Sequence, residues 1–152
     1  DNNAKMALAI LLKYPDLKDY RDDLFDIHEI NFYNQAITDL KDKILEIFVG
    51  EGASAVFDIL ADGEFSAEIV EVKNLLASMG EGSLELATNN FRLLLLKDLL
   101  SQVEEQYQES RTAVDEISTS IKGVNDPKIH EIFNYKESIQ KLILDLEQTL
   151  IN

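Results

Sequence analysis

The most constraining feature of the sequence is a long stretch without helix breakers. After Leu84, no glycine or proline occurs for about 38 residues, until Gly123. Apolar residues in this stretch recur at alternating steps of three and four, the spacing of a coiled-coil seam on one face of a helix. The seam positions are Leu96, Leu100, Val103, Tyr107, Ser110, Val114, Ile117 and Ile121. The sequence therefore predicts one long helix that packs a single stripe against a neighbour.

The C-terminal segment repeats the seam after a stop signal and a start signal. Gly123 ends the long helix, Asp126 is placed to cap the next helix, and Pro127 occupies its first turn. The second seam consists of Ile129, Ile132, Lys136, Ile139, Ile143, Leu146 and Leu150. An antiparallel hairpin folded about Asn125 would pair Ile121 with Ile129, Ile117 with Ile132, Tyr107 with Ile143, and Leu100 with Leu150.

Shorter helices are predicted before the long one, because the three-and-four spacing recurs and the period-two alternation of strands is not found. They cover about 3–14, 31–49, 54–61 and 66–80, with a polar helical turn at 16–25 and a cap at Ser66. In the 31–49 helix we expect an apolar side formed by Tyr33, Ala36, Ile37, Leu40, Ile44, Ile47 and Phe48. We expect the solvent-exposed side to be formed by Asp39, Lys41, Asp42 and Glu46.

The predicted fold class is therefore all-α. A helical bundle of about six helices would occupy residues 1–100, and a C-terminal antiparallel helical hairpin would occupy 101–152, with the boundary inside the long helix. Four large side chains lie off the hairpin seam, so the hairpin alone cannot bury them all. These residues are Phe133, Tyr135, Leu142 and Ile151.

Charge and composition restrict the possible partners. The net charge of −15 and the lack of a basic stripe argue against direct nucleic-acid binding and against binding to anionic lipid. The chain has no cysteine, which favours a reducing cytoplasm, and its apolar runs are too short to cross a membrane. The start at Asp1 indicates a piece of a longer protein. We therefore expect a soluble cytoplasmic domain whose partner is a protein.

Candidate metal sites in the sequence are weak. Residues 58–69 resemble a calcium-binding loop in part, but Leu60 and Ile69 stand where the third and twelfth ligands belong. A run of acidic residues fits a solvated loop better than a magnesium site: Asp22, Asp23, Asp26 and Glu29. His28 and His130 lack the spacing of zinc ligands and are predicted to lie at the surface.

Catalytic and cofactor motifs are also lacking. Without a thiol, and without a Gly-x-Ser-x-Gly motif, no activated nucleophile can be assigned. The Gly-Glu-Gly sequence at 50–52 follows a predicted helix and has no lysine after it, so it is not a phosphate-binding loop. We therefore expect no catalytic residues, no cofactor and no metal in this domain.

Three segments resemble the C-terminal helicase-binding domain of DnaG-type bacterial primases. They are Ala-Leu-Ala-Ile-Leu-Leu-Lys-Tyr-Pro-Asp-Leu at 7–17, the region 59–79, and the pattern formed by Ala87, Phe91, Arg92, Leu95 and Leu99. The resemblance covers essentially the whole chain in the family's order. The chain departs from the family at Thr88, Asn89 and Asn90, where acidic residues are frequent, and in its linker at 123–127.

The resemblance implies a six-helix bundle followed by a helical hairpin that binds the N-terminal collar of the hexameric replicative helicase. By the same resemblance, Phe133, Tyr135, Leu142 and Ile151 would contact the helicase, and the bundle face near Tyr33 and Phe48 would contribute more weakly. The family's domain can also bind the acidic tail of single-stranded DNA-binding protein. At a net charge of −15, we expect that binding to be weak here.

Three other functions fit the same pattern. The N-terminal collar domain of the replicative helicase has a related helical fold, and in its gene a P-loop domain would follow. A helical enzyme or regulatory domain would need a polar pocket between its helices. A dimerisation module would use the long seam between two chains, and sedimentation would then show a dimer.

Overall fold

The computed structural model describes residues 2–118 and 127–151, with side chains described for 2–113 and 127–150. The helices are α1 Asn2–Lys13, α2 Gln35–Gly50, α3 Val56–Leu60, α4 Ser66–Ser78, α5 Leu84–Ser118 and α6 Pro127–Ile151, with 3-10 turns at Pro15–Asp19 and Ala53–Ala55. Within these ranges there is no strand, and Arg21 and Asp26 form only an isolated bridge. The predicted all-α helical bundle is confirmed.

The chain divides into two compact units inside α5. The first unit is Asp1–Leu95 and the second is Leu96–Asn152. The division therefore lies five residues before the boundary expected from the sequence, in the same uninterrupted helix. The long helix is present as predicted, at least as far as Ser118. Its expected stop signal is Gly123 and the expected cap of α6 is Asp126, and both lie outside the described residues.

The core of the first unit is organised around α1, which is apolar on nearly all sides. Seven of its residues are buried, namely Ala4, Ala7, Leu8, Ala9, Ile10, Leu11 and Leu12. Its most extensive contacts are with α4. The backbone N–H of Tyr14 donates the last helical bond, to Ile10, and Pro15 has no N–H with which to continue. A helix with so little polar surface has to be covered by other elements.

The sides predicted for the 31–49 helix, which begins only at Gln35 as α2, are correct for the apolar core residues and wrong at three positions. Ile37, Leu40, Ile44, Ile47 and Phe48 are buried, but Tyr33 and Ala36 are exposed. Lys41, predicted on the solvent-exposed side, is buried. Its ammonium donates to the carbonyl of Ile30 at 2.6 Å and pairs with Asp42 at 3.0 Å. These contacts compensate the buried charge, as a buried ammonium requires.

Two predicted cap and turn assignments are wrong. Ser66 is the first residue of α4, and the cap position belongs to Phe65, which makes no side-chain cap bond. The polar helical turn predicted over 16–25 ends at Asp19. Beyond it the Asp22 carboxylate accepts hydrogen bonds from the backbone N–H groups of Leu24 and Phe25, at 2.7 and 2.8 Å. An aspartate that bonds the backbone in this way favours a turn over a helix.

The same Asp22 carboxylate ties this loop to α5. It accepts hydrogen bonds from the Tyr20 hydroxyl and from the Arg92 guanidinium. Burial of Asp22 is the largest single influence and acts to raise its pKa. The hydrogen bonds from Tyr20, Leu24, Phe25 and Arg92 together outweigh burial, so the pKa of Asp22 lies below its ordinary value of 3.8. Burial, followed by the bond to Asp22, raises the pKa of Tyr20 above its ordinary 10.0.

Phe91 lies beside this ion pair and is fully buried. Its ring meets the ring of Tyr20 edge-on, with centroids 5.1 Å apart. Arg92 also reaches Asp23 at 3.4 Å, but the Asp23 side chain is largely exposed and adds little. The adjacent residues Phe91 and Arg92 therefore attach the start of α5 to the loop after α1, one by packing and the other by charge.

Replacing Asp22 with asparagine should destabilise the protein at neutral pH by about 1.5–3 kcal/mol, the range for hydrogen bonds to a charged group. Because the pKa of Asp22 is lower in the folded than in the unfolded state, its contribution is complete above pH 3.8 and is lost as the pH falls below that value. Urea unfolding of the wild type and Asp22→Asn at several pH values measures the difference. A difference that stays constant from neutral pH to about pH 3 would contradict the assigned role.

Candidate protein-binding surface

The burial pattern of the second unit follows the predicted seams. On α5, Leu96 and Val103 are buried, and Leu100, Tyr107 and Ser110 are half-buried. On α6, Ile132, Ile139 and Ile143 are buried, and Ile129, Lys136, Leu146 and Leu150 are half-buried. The side chains of Val114, Ile117 and Ile121 lie outside the described residues. Each helix thus has one covered side at the expected spacing.

Tyr107 fixes the pairing of the two helices. Its ring lies 5.8 Å from the ring of Phe133, and the Lys136 ammonium lies 5.4 Å from its centroid. Arg111 approaches the same ring at 5.8 Å. Ile143 is ten residues beyond Phe133, or about 15 Å along α6. The predicted pairing of Tyr107 with Ile143 is therefore wrong, because the aromatic contact selects a register that apolar spacing alone leaves open.

The large apolar residues of α6 that lie off the seam fall on two sides of the helix. Phe133 and Leu144 are eleven residues apart, or about three turns, so they lie on one side with about 17 Å between them. Tyr135 and Leu142 are seven residues apart and share another side, roughly opposite to the first. We call the first pair the outer ridge and the second pair the inner ridge. A single flat partner surface can cover only one of them.

Exposure distinguishes the two ridges. On the outer ridge, Leu144 is 61% exposed and Phe133 is 39% exposed. On the inner ridge, Tyr135 is 44% exposed but Leu142 is half-buried. The side chain of Ile151, the fourth residue expected at the interface, lies outside the described residues. The structure therefore does not bring the expected contact residues onto one face.

Leu144 was missed by the sequence analysis and is the most exposed large apolar residue described on α6. It follows the seam residue Ile143 in the apolar run 142–144, so it is easily taken for part of the seam. Its spacing of eleven from Phe133 is the signal that would have found it. The weaker surface expected on the bundle is less well supported. Tyr33 is exposed, but Phe48 is buried, and so is Phe32, the neighbour of Tyr33 in sequence.

Nothing in the described part of the chain forms a metal centre. No group of three or more acidic or histidine side chains there is close enough to hold an ion. The carboxylate of Asp22, from the acidic run considered above, is engaged by Tyr20 and Arg92. His28 and His130 are exposed, as expected. None of the described helices combines the length and hydropathy that a membrane span needs.

Comparison of the chain with protein-family models, with curated proteins and with solved structures gives no match. The residues that carry the resemblance to the primase domain have clear structural roles. Leu11, Leu17, Phe91 and Leu95 are buried in the core, and Arg92 forms the ion pair with Asp22. Packing and charge pairing within the fold account for these residues, but they do not account for the exposed apolar residues of the outer ridge.

Truncating one residue on each side of α6 should separate packing from surface exposure. Ile139→Ala removes a fully buried side chain and should cost about 2–5 kcal/mol of unfolding free energy. Leu144→Ala should change it by less than about 0.5 kcal/mol, because the side chain is mostly exposed. Chemical denaturation followed by circular dichroism measures both. Equal losses for the two variants would show that Leu144 is a packing residue.

Proposed function

We propose that this chain is a non-catalytic adaptor domain that binds the N-terminal domain of a hexameric replicative helicase, as part of a bacterial primase. The observation that carries the proposal is the outer ridge, where Phe133 and Leu144 present apolar surface on one side of a helix whose other side is buried. The resemblance of 7–17 and of the Phe91-Arg92 pattern to the primase domain suggests which partner covers it.

The geometry of the outer ridge is that of a helix that docks in a groove. Two anchors about 17 Å apart on one side of a helix match the way an amphipathic helix presents its apolar side chains to a partner. Phe133 is supported from behind by the ring of Tyr107, so less side-chain freedom is lost when a partner covers it. Leu144 supplies exposed apolar area.

Charge supports a protein partner over a nucleic acid. With twenty-nine acidic and fourteen basic residues, the chain repels phosphate backbones and favours a partner surface that is apolar or basic. The titratable cluster that the fold does assemble, Tyr20 with Asp22 and Arg92, is satisfied by its own hydrogen bonds. A role in which the domain positions a partner, and performs no chemistry itself, fits these features best.

Calorimetric titration of this chain against the hexameric helicase of the same bacterium tests the proposal. We expect binding by the wild type and at least about tenfold weaker binding by Leu144→Ala, the loss typical of an interface anchor. Val70→Ala is the matched control, because Val70 is a similarly exposed apolar residue, at 54%, on α4 of the first unit and should have no effect. Phe133→Ala, Tyr135→Ala, Leu142→Ala and Ile151→Ala complete the set.

No heat of binding from the wild-type chain, measured at concentrations that saturate ordinary protein complexes, would contradict the proposed function. If the wild type binds the helicase but none of the five α6 variants weakens binding, the proposed partner is kept and the proposed binding surface is wrong. Phe133→Ala also removes the contact with Tyr107 and so can destabilise the domain. A loss of affinity in this variant is therefore interpreted together with its free energy of unfolding. Leu144→Ala does not require that correction.

The acidic tail of single-stranded DNA-binding protein should bind this chain weakly. Like charges repel, and a net charge of −15 is screened only in part at ordinary ionic strength. Fluorescence anisotropy of a labelled tail peptide should therefore show weak binding that changes with salt. Tight binding in ordinary salt would contradict this expectation and would point to a basic site that overcomes the overall charge.

A further inference from the structure

A pocket of about 320 Å³ lies within the first unit, between α1 and the beginning of α5. Its walls are mostly apolar and are formed by Met6, Ile10, Met79, Leu86, Ala87 and Leu94. This volume is at the lower end of the range for small-molecule sites, which are usually apolar with a few polar groups. Two methionines give the walls flexible, polarisable side chains that adapt to different shapes.

The segment from α4 to α5 closes the pocket at the end of α1. The Lys13 ammonium donates to the carbonyl of Gly80 at 2.5 Å, and the Tyr14 hydroxyl donates to the carbonyl of Gly82 at 3.0 Å. Gly80, Gly82 and both of these donors line the pocket. Polar groups thus converge at one end of an otherwise apolar space.

Lys13 is the group that suggests the charge of a ligand. An ammonium has three N–H donors, and Gly80 accepts one of them. No carboxylate in the described part of the chain lies within 4.0 Å of the Lys13 ammonium, whereas Lys5, on the same helix, pairs with Glu71 at 2.5 Å. The Lys13 ammonium is therefore a cation in the pocket with N–H donors left for the anionic group of a ligand.

We propose that this pocket binds a small amphiphilic monocarboxylate, with its alkyl chain along the apolar walls and its carboxylate on the Lys13 ammonium. Glu81 also lines the pocket, and the chain as a whole is strongly acidic, so a ligand with more than one negative charge is disfavoured. The volume of about 320 Å³ limits the ligand to a small molecule with one alkyl chain. This proposal is independent of helicase binding.

Decanoate is the probe, titrated into the full chain below its micelle concentration and followed by amide NMR. We expect saturable binding at one site, with shifts at the residues that line the pocket. Decylamine has the same chain length and the opposite charge and should bind at least about tenfold more weakly, because Lys13 repels it. Absence of saturation, or equal binding of decylamine, overturns the proposal.

Two pairs of variants locate the site. Lys13→Met removes the charge and should weaken decanoate binding at least about tenfold, while Lys73→Met, on the surface of α4, should leave it unchanged. Leu86→Asp places a carboxylate in the pocket wall and should abolish binding. Leu84→Asp is its matched control, since Leu84 and Leu86 are equally exposed in the first turn of α5 and only Leu86 lines the pocket.

The second pair keeps the test valid if Lys13→Met disturbs the bond to Gly80, because both leucines are exposed and neither substitution removes a buried side chain. Binding that survives Leu86→Asp, or that is lost equally in Leu84→Asp, overturns the assignment of the pocket.

Discussion

A helix that packs on one neighbour can bury one side only, and α6 has large apolar residues on more than one. Ile132, Ile139 and Ile143 occupy its buried side. Phe133 and Leu144 are left on another side and Tyr135 on a third. Large exposed apolar side chains on one side of a helix are unfavourable in water, and a partner that covers them removes that cost. The proposal of a protein-binding adaptor depends on these apolar residues that the partner helix leaves uncovered.

The first unit shows how a few contacts define the position of the helix that enters the second. Phe91 packs on Tyr20, and Arg92 bonds the carboxylate of Asp22, so the first turns of α5 are held by the loop that follows α1. That loop is itself shaped by the same carboxylate. Removing one group would therefore affect the turn and the attachment of α5 together.

Apolar spacing predicted much of this fold because helices and their buried sides follow directly from periodicity. The unbroken helix α5 as far as Ser118, the end of α1 within one residue, and the seam positions on α6 are all correct. The errors arise where side chains override spacing. Asp22 forms a turn inside an expected helical segment, and Lys41 is buried because a carbonyl and Asp42 can receive its charge.

The candidate site was predicted less completely, for a related reason. Spacing identifies the residues that leave the seam, but it does not say which of them a neighbour covers. Phe133 was expected to lie off the seam, and its ring contacts Tyr107; Leu144 was not expected at the surface and is the more exposed of the two. The register of the two helices decides this, and it depends on the fit of large rings that no periodic pattern encodes.

Methyl NMR of this chain, with the N-terminal domain of the proposed helicase partner added, tests the role of α6 most directly. The methyl signals of Leu144 should shift or broaden as the complex forms, while those of the similarly exposed Val70 on α4 stay unchanged. If the Leu144 signals keep their free positions while the complex saturates, α6 does not form the contact, and its exposed apolar side needs another explanation.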